Sequence, residues 1–381
     1  MILRDLRLHA FRAHAETRLT FAPKVNLLVG PNGAGKTNVL EAVHYLCLSK
    51  SFIASQDGYV LRQGAPFFEV EGTFEGEQRP HLRARLVYVP EEGKRLFING
   101  APLERLAQVV GMLPVVVFSP LDQAITAGGP DERRRFLDNI LSQARPVYLD
   151  DLLKYRRALR QRNVLLAEAR RRGAAPPPAL MASWDEELVT LGSRVIAGRL
   201  RFMHEFAAFL EAAYARIESV AERPTITYVS LDGLDPEADE AAVAEVFRRR
   251  LARLARREQQ RGRTLAGPHL DELVFYLNGL EVRRYASQGQ HRTFGMALKL
   301  AQFFYLQDRL EETPLLLLDD VFDNLDPVRA EGFLHLLQSG AVGQSLITAA
   351  RLDPFDGIVP FDEDVHRLIR VEAGAVCEAG A

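Results

Sequence analysis

The chain has 381 residues, of which 47% are hydrophobic and 26% are charged, and its formal net charge is −2. This composition is typical of a soluble protein with a large core, and nucleic-acid binding would have to depend on a local basic patch. No apolar run approaches the roughly 20 residues that a bilayer span needs, and the N-terminus has no signal-peptide core. We therefore expect a cytoplasmic protein with no membrane partner. The two cysteines, Cys47 and Cys377, form no ligand cluster, so we expect neither a structural disulfide nor zinc.

The first part of the chain has the pattern of a sheet with a helix packed on it. The apolar segment VNLLVG (25–30) predicts a strand, and KTNVLEAVHYLCL (36–48) then changes to helical spacing with one apolar face. Three segments that alternate apolar and polar residues predict antiparallel strands with one wet face: FFEVEGTFEG, HLRARLVYVP and KRLFING. VVVFSP predicts a buried strand.

The middle of the chain, about 131–261, has helical periodicity, and AAPPP (174–178) interrupts it. Eight apolar residues after the interruption recur at helical spacing: Trp184, Leu188, Leu191, Val195, Phe202, Phe206, Phe209 and Ile217. This region is predicted to be a compact helical insert. ELVFYLNG (272–279) then predicts a strand that enters an Asn-Gly turn, and an apolar helix follows.

The segment GPNGAGKT, residues 30–37, matches the phosphate-binding loop (P-loop) pattern GxxxxGK[ST]. In such a loop the backbone N–H groups and the helix N-terminus bind phosphate oxygens, the lysine reaches the β- and γ-phosphates, and the hydroxyl ligates Mg²⁺. The alternative is a fortuitous glycine-rich turn, which the flanking strand and helix disfavour. The predicted ATP-binding residues here are Gly30, Pro31, Asn32, Gly33, Ala34, Gly35, Lys36, Thr37 and Asn38.

The segment LLLLDD, residues 315–320, has the pattern of a buried parallel strand that ends in two carboxylates. Asp319 is predicted to bind Mg²⁺ together with Thr37, as a Walker B aspartate does, and Asp320 to polarise the attacking water. Lys36, Asp319 and Asp320 are therefore the candidate catalytic residues. The alternative is a core strand followed by a solvated acidic turn.

The segment YASQGQHRT, residues 285–293, resembles the signature motif of ABC-type ATPases, Leu-Ser-Gly-Gly-Gln. Ser287, Gly289 and Gln290 match that pattern, whereas Ala286 and Gln288 differ from it. The resemblance implies that these residues bind the γ-phosphate of ATP held by a second copy of the chain, in an ATP-dependent homodimer. The alternative is a plain helix cap at Ser287.

Other ABC-type features are present in part. DNLDP, residues 323–327, lies where these ATPases have a D-loop, which makes Asp323 and Asp326 candidates; a helix cap at Asp326 before Pro327 is compatible with this assignment. The switch histidine expected at the end of the next strand is absent, and Thr348 and Ala349 stand near that place. Gln123 is the candidate for the Q-loop glutamine.

The N-terminal region resembles the opening of chromosome-maintenance and recombination ATPases, in which an arginine lies near the nucleotide; Arg12 has that place here, although a solvated turn arginine is the alternative. FSPLDQAITAGGPDERRRFLDNIL, GPHLDELVFYLNG, YASQGQHRT and LLLLDDVFDNLD together resemble the bacterial RecF family, up to about Leu352. That resemblance implies an ATPase that dimerises on ATP, binds duplex DNA and single-strand/duplex junctions, and works with RecR and RecO to load RecA at gaps.

The resemblance implies an α/β fold: an ABC-type ATPase head with a mixed β-sheet lobe and a helical second lobe, without a long coiled-coil arm. The expected boundaries are 1–120 for lobe I with the P-loop, 121–299 for the mainly helical lobe II with the signature segment near its end, and 300–381 for the return to lobe I with a C-terminal tail. Slow ATP hydrolysis is expected to act as a reset.

The charge distribution permits DNA binding. Residues 151–264 contain 21 Lys/Arg and 16 Asp/Glu, a balance of +5 against −7 for the rest of the chain, and clustered basic residues are typical of phosphate binding. Solvated helix faces with paired charges are an equally ordinary explanation. The alternative function is an ABC-type ATPase subunit that acts on a protein partner in transport or translation.

Overall fold

The structure is a computed structural model that describes residues 1–217, 222–325, 327–362, 364–372 and 374–378. The strands are β1 Ile2–Phe11, β2 His14–Thr20, β3 Val25–Val29, β4 Phe68–Glu75, β5 Leu82–Val89, β6 Gly93–Ile98, β7 Ala101–Pro102, β8 Val115–Phe118, β9 Pro224–Val229, β10 Glu272–Leu277, β11 Leu280–Glu281, β12 Leu315–Asp319, β13 Ser345–Ala349, β14 Arg367–Glu372 and β15 Ala375–Glu378. The helices are α1 Lys36–Leu48, α2 Gln123–Ala127, α3 Pro130–Ala144, α4 Pro146–Arg172, α5 Pro178–Ile217, α6 Glu240–Arg261, α7 Val282–Tyr285, α8 Gln288–Leu310 and α9 Pro327–Gln338.

The chain divides into two compact units. Unit 1 contains Met1–Asp122 and Met296–Ala381, and unit 2 contains Gln123–Gly295. The sequence analysis placed the corresponding boundaries after residues 120 and 299. Among the described helices, none is both long and apolar enough to cross a membrane.

Unit 1 contains two six-stranded sheets. The first, which we call the parallel sheet, has the order β15-β14-β3-β13-β12-β8; its strands are parallel except β15, which pairs antiparallel with β14 at the edge. The second, the antiparallel sheet, has the order β2-β1-β4-β5-β6-β7. Its long strands alternate buried residues with more accessible ones, and in β4 each buried residue is followed by a half-buried one, which confirms the prediction of strands with one wet face.

Helix α1 packs against strands of both sheets and is buried on all sides. Eleven of its 13 residues are buried, which differs from the single apolar face that the sequence predicted. The physical reason is that a helix covered from two directions needs no solvated face. The two sheets and α1 share one hydrophobic cluster, which includes Leu46, Phe74 and Leu317, so the helix that follows the P-loop is fixed by the centre of the core.

Unit 2 is mainly helical. The helices α4, α5 and α6 pack on one another around a cluster that includes Tyr155, Leu188 and Phe247. The prediction of a helical region over about 131–261 was wrong at one place, because Pro224–Val229 forms strand β9. β9 pairs antiparallel with β10, and the Asn-Gly turn that follows β10 was predicted correctly: Asn278 and Gly279 both have positive φ, 51° and 79°.

Candidate nucleotide-binding site

The P-loop connects the buried strand β3 to helix α1, and two structural constraints explain why its three glycines are needed. Gly33 and Gly35 have φ of 82° and 104°, in the left-handed region that favours glycine. Gly30 is required by a close approach, because a Cβ there would lie 2.1 Å from the carbonyl oxygen of Val371 in β14. Two glycines therefore bend the loop, and the third lets a neighbouring strand lie against it.

The N-terminus of α1 has no capping side chain and no acidic residue in its first turn. The first N–H groups of a helix carry partial positive charge and need an acceptor, so this end is suited to an anion. Lys36 is 5% exposed, and its Nζ donates to the carbonyl oxygens of Gly30 and Pro31 at 2.8 and 3.1 Å. A buried ammonium group therefore lies against the loop at the start of an uncapped helix.

The remaining P-loop residues differ in exposure. Pro31, Asn32 and Gly33 are exposed at the tip, Ala34 is buried, and Asn38 is half-buried with its N–H donating to Gly35. The structure places all nine predicted residues in one continuous loop and helix start.

The two residues predicted to bind Mg²⁺ are in direct contact. Strand β12 is buried along its whole length, and Asp319 ends it, beside Thr348 of β13. Asp319 Oδ1 accepts hydrogen bonds from the Thr37 hydroxyl at 2.6 Å and from the Thr348 hydroxyl at 2.9 Å. The pKa of Asp319 is raised above its ordinary value. Burial is the largest cause and the neighbouring Asp320 adds to it, whereas the hydrogen bonds from the two hydroxyls act in the opposite direction.

These residues fit a magnesium ion. A threonine hydroxyl and a carboxylate are oxygen ligands, and Mg²⁺ usually takes one or two carboxylates together with substrate phosphates instead of an all-protein cage. The described residues contain no group of three or more His, Cys, Asp or Glu that could hold a metal ion by itself.

Asp320 lies in a strained backbone conformation directly after β12. Its φ is 48°, in the left-handed region where a non-glycine residue costs about 1 kcal/mol or more. Its N–H donates to the Thr348 hydroxyl at 2.9 Å, and its Oδ1 lies 3.2 Å from the same oxygen. Thr348 therefore contacts both carboxylates, a contact that sequence reasoning did not assign to it.

Arg12 is not a solvated turn arginine. It lies between β1 and β2 with φ of 54°, and its Nε and Nη2 donate to the two oxygens of Glu41 in α1 at 2.9 and 2.8 Å. Glu41 is fully buried, and the Ser51 hydroxyl also donates to it. A buried carboxylate with this bidentate partner fixes Arg12 to the P-loop helix; contact between Arg12 and nucleotide remains a prediction.

Sequence reasoning missed two supports of the P-loop. His14 is fully buried, and its Nε2 lies 3.1 Å from the Gly35 carbonyl oxygen, so a proton on Nε2 is donated to the loop; burial lowers the pKa of His14. Gly374, in the turn between β14 and β15, donates its N–H to the Ala34 carbonyl at 2.9 Å. The Thr17 hydroxyl joins them, 3.0 Å from His14 Nδ1 and 3.3 Å from the Gly374 carbonyl oxygen.

A signal for the second support was present in the sequence. RLIRVEAGAVCE, residues 367–378, alternates apolar and polar residues around a glycine, which is typical of a hairpin. The segment expected to be a C-terminal tail contributes β14 and β15 to the parallel sheet, with β14 beside β3.

The signature segment lies in unit 2, at the start of α8. The Ser287 hydroxyl accepts from the Gln290 N–H at 3.2 Å and the Gln290 side chain accepts from the Ser287 N–H at 2.9 Å, which is a reciprocal capping box. Gln290 Nε2 also donates to Glu222 at 2.9 Å. The capping alternative is thus realised, yet Ser287 and Gly289 remain exposed. A Cβ at Gly289 would meet only Ser287 Oγ, at 3.9 Å, so no residue that the structure describes requires glycine there.

The other ABC-type candidates are placed as follows. Asp323 is exposed on the short 3₁₀ turn Phe322–Asn324, and α9 begins at Pro327. Asp326 lies outside the described residues. Gln123 is exposed and is the first residue of α2 and of unit 2, whereas the P-loop belongs to unit 1.

Comparison with known proteins agrees with this geometry. The family model described as RecF/RecN/SMC N terminal domain matches residues 2–369. The DNA replication and repair protein RecF of Salinibacter ruber is 58% identical over 374 residues, which are 98% of this chain and 91% of that protein. The protein of the same name from Chloroherpeton thalassium is 44% identical over 356 residues, 93% of this chain and 96% of that one.

Solved structures give the same result. A structure of the recombination mediator protein RecF-ATPrS in the RecFOR pathway matches with a TM-score of 0.91 and 29% identity, over 99% of this chain and 98% of that one. The Smc head domain of Pyrococcus furiosus matches with a TM-score of 0.56 and 16% identity, over 98% of this chain and 95% of that one, and therefore shows only a shared fold. Since the family model covers nearly the whole chain and the Salinibacter ruber protein is 58% identical over 98% of it, the chain belongs to the RecF family, with the ABC-type ATPase fold of that family and no long coiled-coil arm.

Proposed function

We propose that this chain is an ATP-dependent DNA-binding protein of recombinational gap repair and replication-fork maintenance, in which ATP binding joins two copies and slow hydrolysis separates them. The observation that carries the proposal is the pairing of a complete P-loop with an exposed signature segment whose Gly289 has no role within one copy. Glycine is the usual residue where a ligand approaches the backbone closely, so its presence favours close approach by another molecule.

The P-loop residues would bind ATP. The Lys36 ammonium and the N–H groups at the start of α1 would bind the β- and γ-phosphates, and Thr37 with Asp319 would hold Mg²⁺. When bound, Mg²⁺ neutralises charge on the phosphate oxygens. Asp320 would take the proton of the attacking water, with Thr348 holding its backbone and its carboxylate.

The signature segment would act on the nucleotide of a second copy. Ser287 and Gly289 present a hydroxyl and a helix N-terminus to solvent at the start of α8, and both groups are suited to the γ-phosphate of bound ATP. A two-fold dimer would then contain two such composite sites. Asp323 and Asp326 would contribute from the D-loop, and Gln123 and Arg12 from their own segments.

The proposed role in DNA binding is based on the names of similar proteins. The similar curated proteins are named DNA replication and repair protein RecF, and the similar solved structures are of a recombination mediator in the RecFOR pathway. For this chain we propose binding to duplex DNA and to single-strand/duplex junctions, with RecR and RecO as partners in loading RecA. A transport or translation-associated role on a protein partner is not favoured, because the similar proteins named above are repair proteins.

The test measures binding to fluorescent gapped, single-stranded and duplex DNA with ATP and with ADP, using wild type, Lys36→Met and the control Lys50→Met. We expect the wild type and the control to bind gapped DNA more tightly with ATP than with ADP, and Lys36→Met to lose this difference because it removes the charge that binds the β- and γ-phosphates. Equal binding with both nucleotides in the wild type would contradict an ATP-driven function.

A further inference from the structure

The most basic segment of unit 2 lies at the end of α6. Residues 248–263 contain eight arginines and a single acidic residue, Glu258. Glu258 is fully buried and accepts from Arg162 Nη2 at 2.7 Å and from the Leu265 N–H at 2.7 Å. Its charge is therefore matched within the core by Arg162, and the arginine charges on the surface of this segment are not balanced by it.

The arginines form a row on the side of α6 that faces solvent. The buried residues of this helix define its core side: Val243, Phe247, Leu251, Leu254 and Glu258. At 100° per residue, Arg249, Arg253, Arg256 and Gln260 lie on the opposite side, and all four are exposed. With a rise of 1.5 Å per residue, the arginines of this row span about 10 Å, long enough to follow about three phosphates of a DNA strand.

The arginines of this segment fall into two groups, those that form ion pairs within the protein and those that do not. Arg248, Arg249 and Arg250 are paired with Glu186, Glu245 and Asp232. By contrast, the side chains of three exposed arginines make no hydrogen bond or ion pair with any residue that the structure describes: Arg253, Arg256 and Arg257. Exposed charges without a partner are the ones that an anionic ligand can reach without first breaking a contact.

We infer that this arginine face, defined as Arg253, Arg256 and Arg257 of α6, binds the phosphate backbone of duplex DNA; the inference rests on the proposed DNA-binding function. The described part of α6 has no exposed large hydrophobic residue, whereas a stable protein interface has an apolar core. A row of cations without apolar neighbours is typical of sequence-independent phosphate contacts.

The test is a salt titration of duplex DNA binding by the full chain, measured by fluorescence anisotropy with ATP present. The test variant replaces Arg253, Arg256 and Arg257 with Gln. The matched control replaces three exposed arginines that are paired within their own helices, Arg135, Arg171 and Arg172, with Gln. A third variant replaces the first three arginines with Lys, which keeps each charge but not the planar guanidinium.

We expect the Gln variant of the arginine face to bind duplex DNA about tenfold or more weakly and to lower the slope of log K against log salt by about 2 to 3, since each phosphate contact contributes about 0.9. The control and the Lys variant should stay within about threefold of wild type. A Gln variant with the affinity and slope of wild type would overturn the inference. An acidic protein partner would then be the better candidate ligand for this face. A wild type that binds no DNA would instead contradict the proposed function.

Discussion

Thr348 stands where an ABC-type ATPase is expected to have its switch histidine. Its hydroxyl donates to Asp319, accepts the N–H of Asp320, and lies 3.2 Å from the Asp320 carboxylate. A hydroxyl cannot supply positive charge to a phosphate as an imidazolium can. We therefore expect its role to be to hold the two carboxylates in position.

Replacement of Thr348 with Val tests this role, because valine has the same shape without the hydroxyl. We expect the rate of a single ATP turnover to fall about tenfold or more, since the Asp320 N–H loses its acceptor and the base loses its orientation. The dissociation constant for ATP should stay within about twofold, because Lys36 and the P-loop are unchanged. Thr348→Ser should restore the rate. Wild-type turnover in the Val variant would show that Asp320 needs no such support.

The P-loop residues could be predicted from the sequence because phosphate binding requires glycine, lysine and a hydroxyl at fixed spacing in one short segment. The roles of His14 and Thr348 could not. Each acts through contacts between segments far apart in the chain, such as the contact of Thr348 with Asp320 across 28 residues. A lone histidine or threonine in a strand carries no pattern that distinguishes it from an ordinary core residue.

At the scale of secondary structure, the β14–β15 hairpin is the least expected support of the site. Gly374 in its turn has φ of 78°, and a Cβ there would lie 2.4 Å from the Ala13 carbonyl oxygen. The same residue donates its N–H to Ala34 of the P-loop. The hairpin therefore supports the loop by a direct backbone hydrogen bond as well as through the position of β14 beside β3.

We expect Gly374→Ala to weaken ATP binding about tenfold, because the turn must move away from Ala13 and its hydrogen bond to Ala34 is lost; a factor of ten corresponds to about 1.4 kcal/mol, the size of one hydrogen bond. Isothermal titration with ATP measures the effect. Gly357→Ala is the matched control: its φ of 74° gives the same backbone strain, but a Cβ there meets nothing within 4 Å. If both variants weakened ATP binding to the same extent, the loss would come from backbone strain alone and not from the hydrogen bond to Ala34.

Elements with a local pattern could be predicted, and elements that depend on distant partners could not. The P-loop strand and helix, the strand β12 and the β10 hairpin follow from hydrophobic spacing and turn residues. Strand β9 was missed because its partner β10 begins more than 40 residues later in the chain. The burial of α1 on all sides was missed because a sequence shows one helix and not the two sheets that cover it.

At the scale of the whole molecule, the P-loop and the signature segment belong to different units, and the proposed homodimer would give the two motifs a common function. The dimer can be tested with two variants that are each defective in one motif. Ser287→Arg should leave ATP binding by one copy near normal, since the P-loop is intact, but should prevent ATP-induced dimerisation and hydrolysis. Sedimentation with ATP measures the first effect, and phosphate release measures the second.

Mixing Ser287→Arg with Lys36→Met provides the sharper result. The mixed dimer has one site with an intact P-loop facing an intact signature segment, and a second site with both defects. We expect partial recovery of dimerisation and ATP hydrolysis in the mixture, although each variant alone has neither. If Ser287 were only a helix cap, its replacement would cost about 1 kcal/mol of stability, and the variant would dimerise normally by itself.

The position of β3 in the parallel sheet has a consequence for the synthesis of the protein. The strand that leads into the P-loop pairs with β13 on one side and β14 on the other, and both lie more than 300 residues later in the chain. At translation rates of about 5–20 residues per second, about 340 residues take roughly 17 to 70 s to synthesise. Throughout that time the nascent chain carries an intact GPNGAGKT segment on a strand without sheet partners. We therefore expect a fragment that ends before β13 to contain the motif but not to form the site. Only chains translated nearly to their end would then bind ATP.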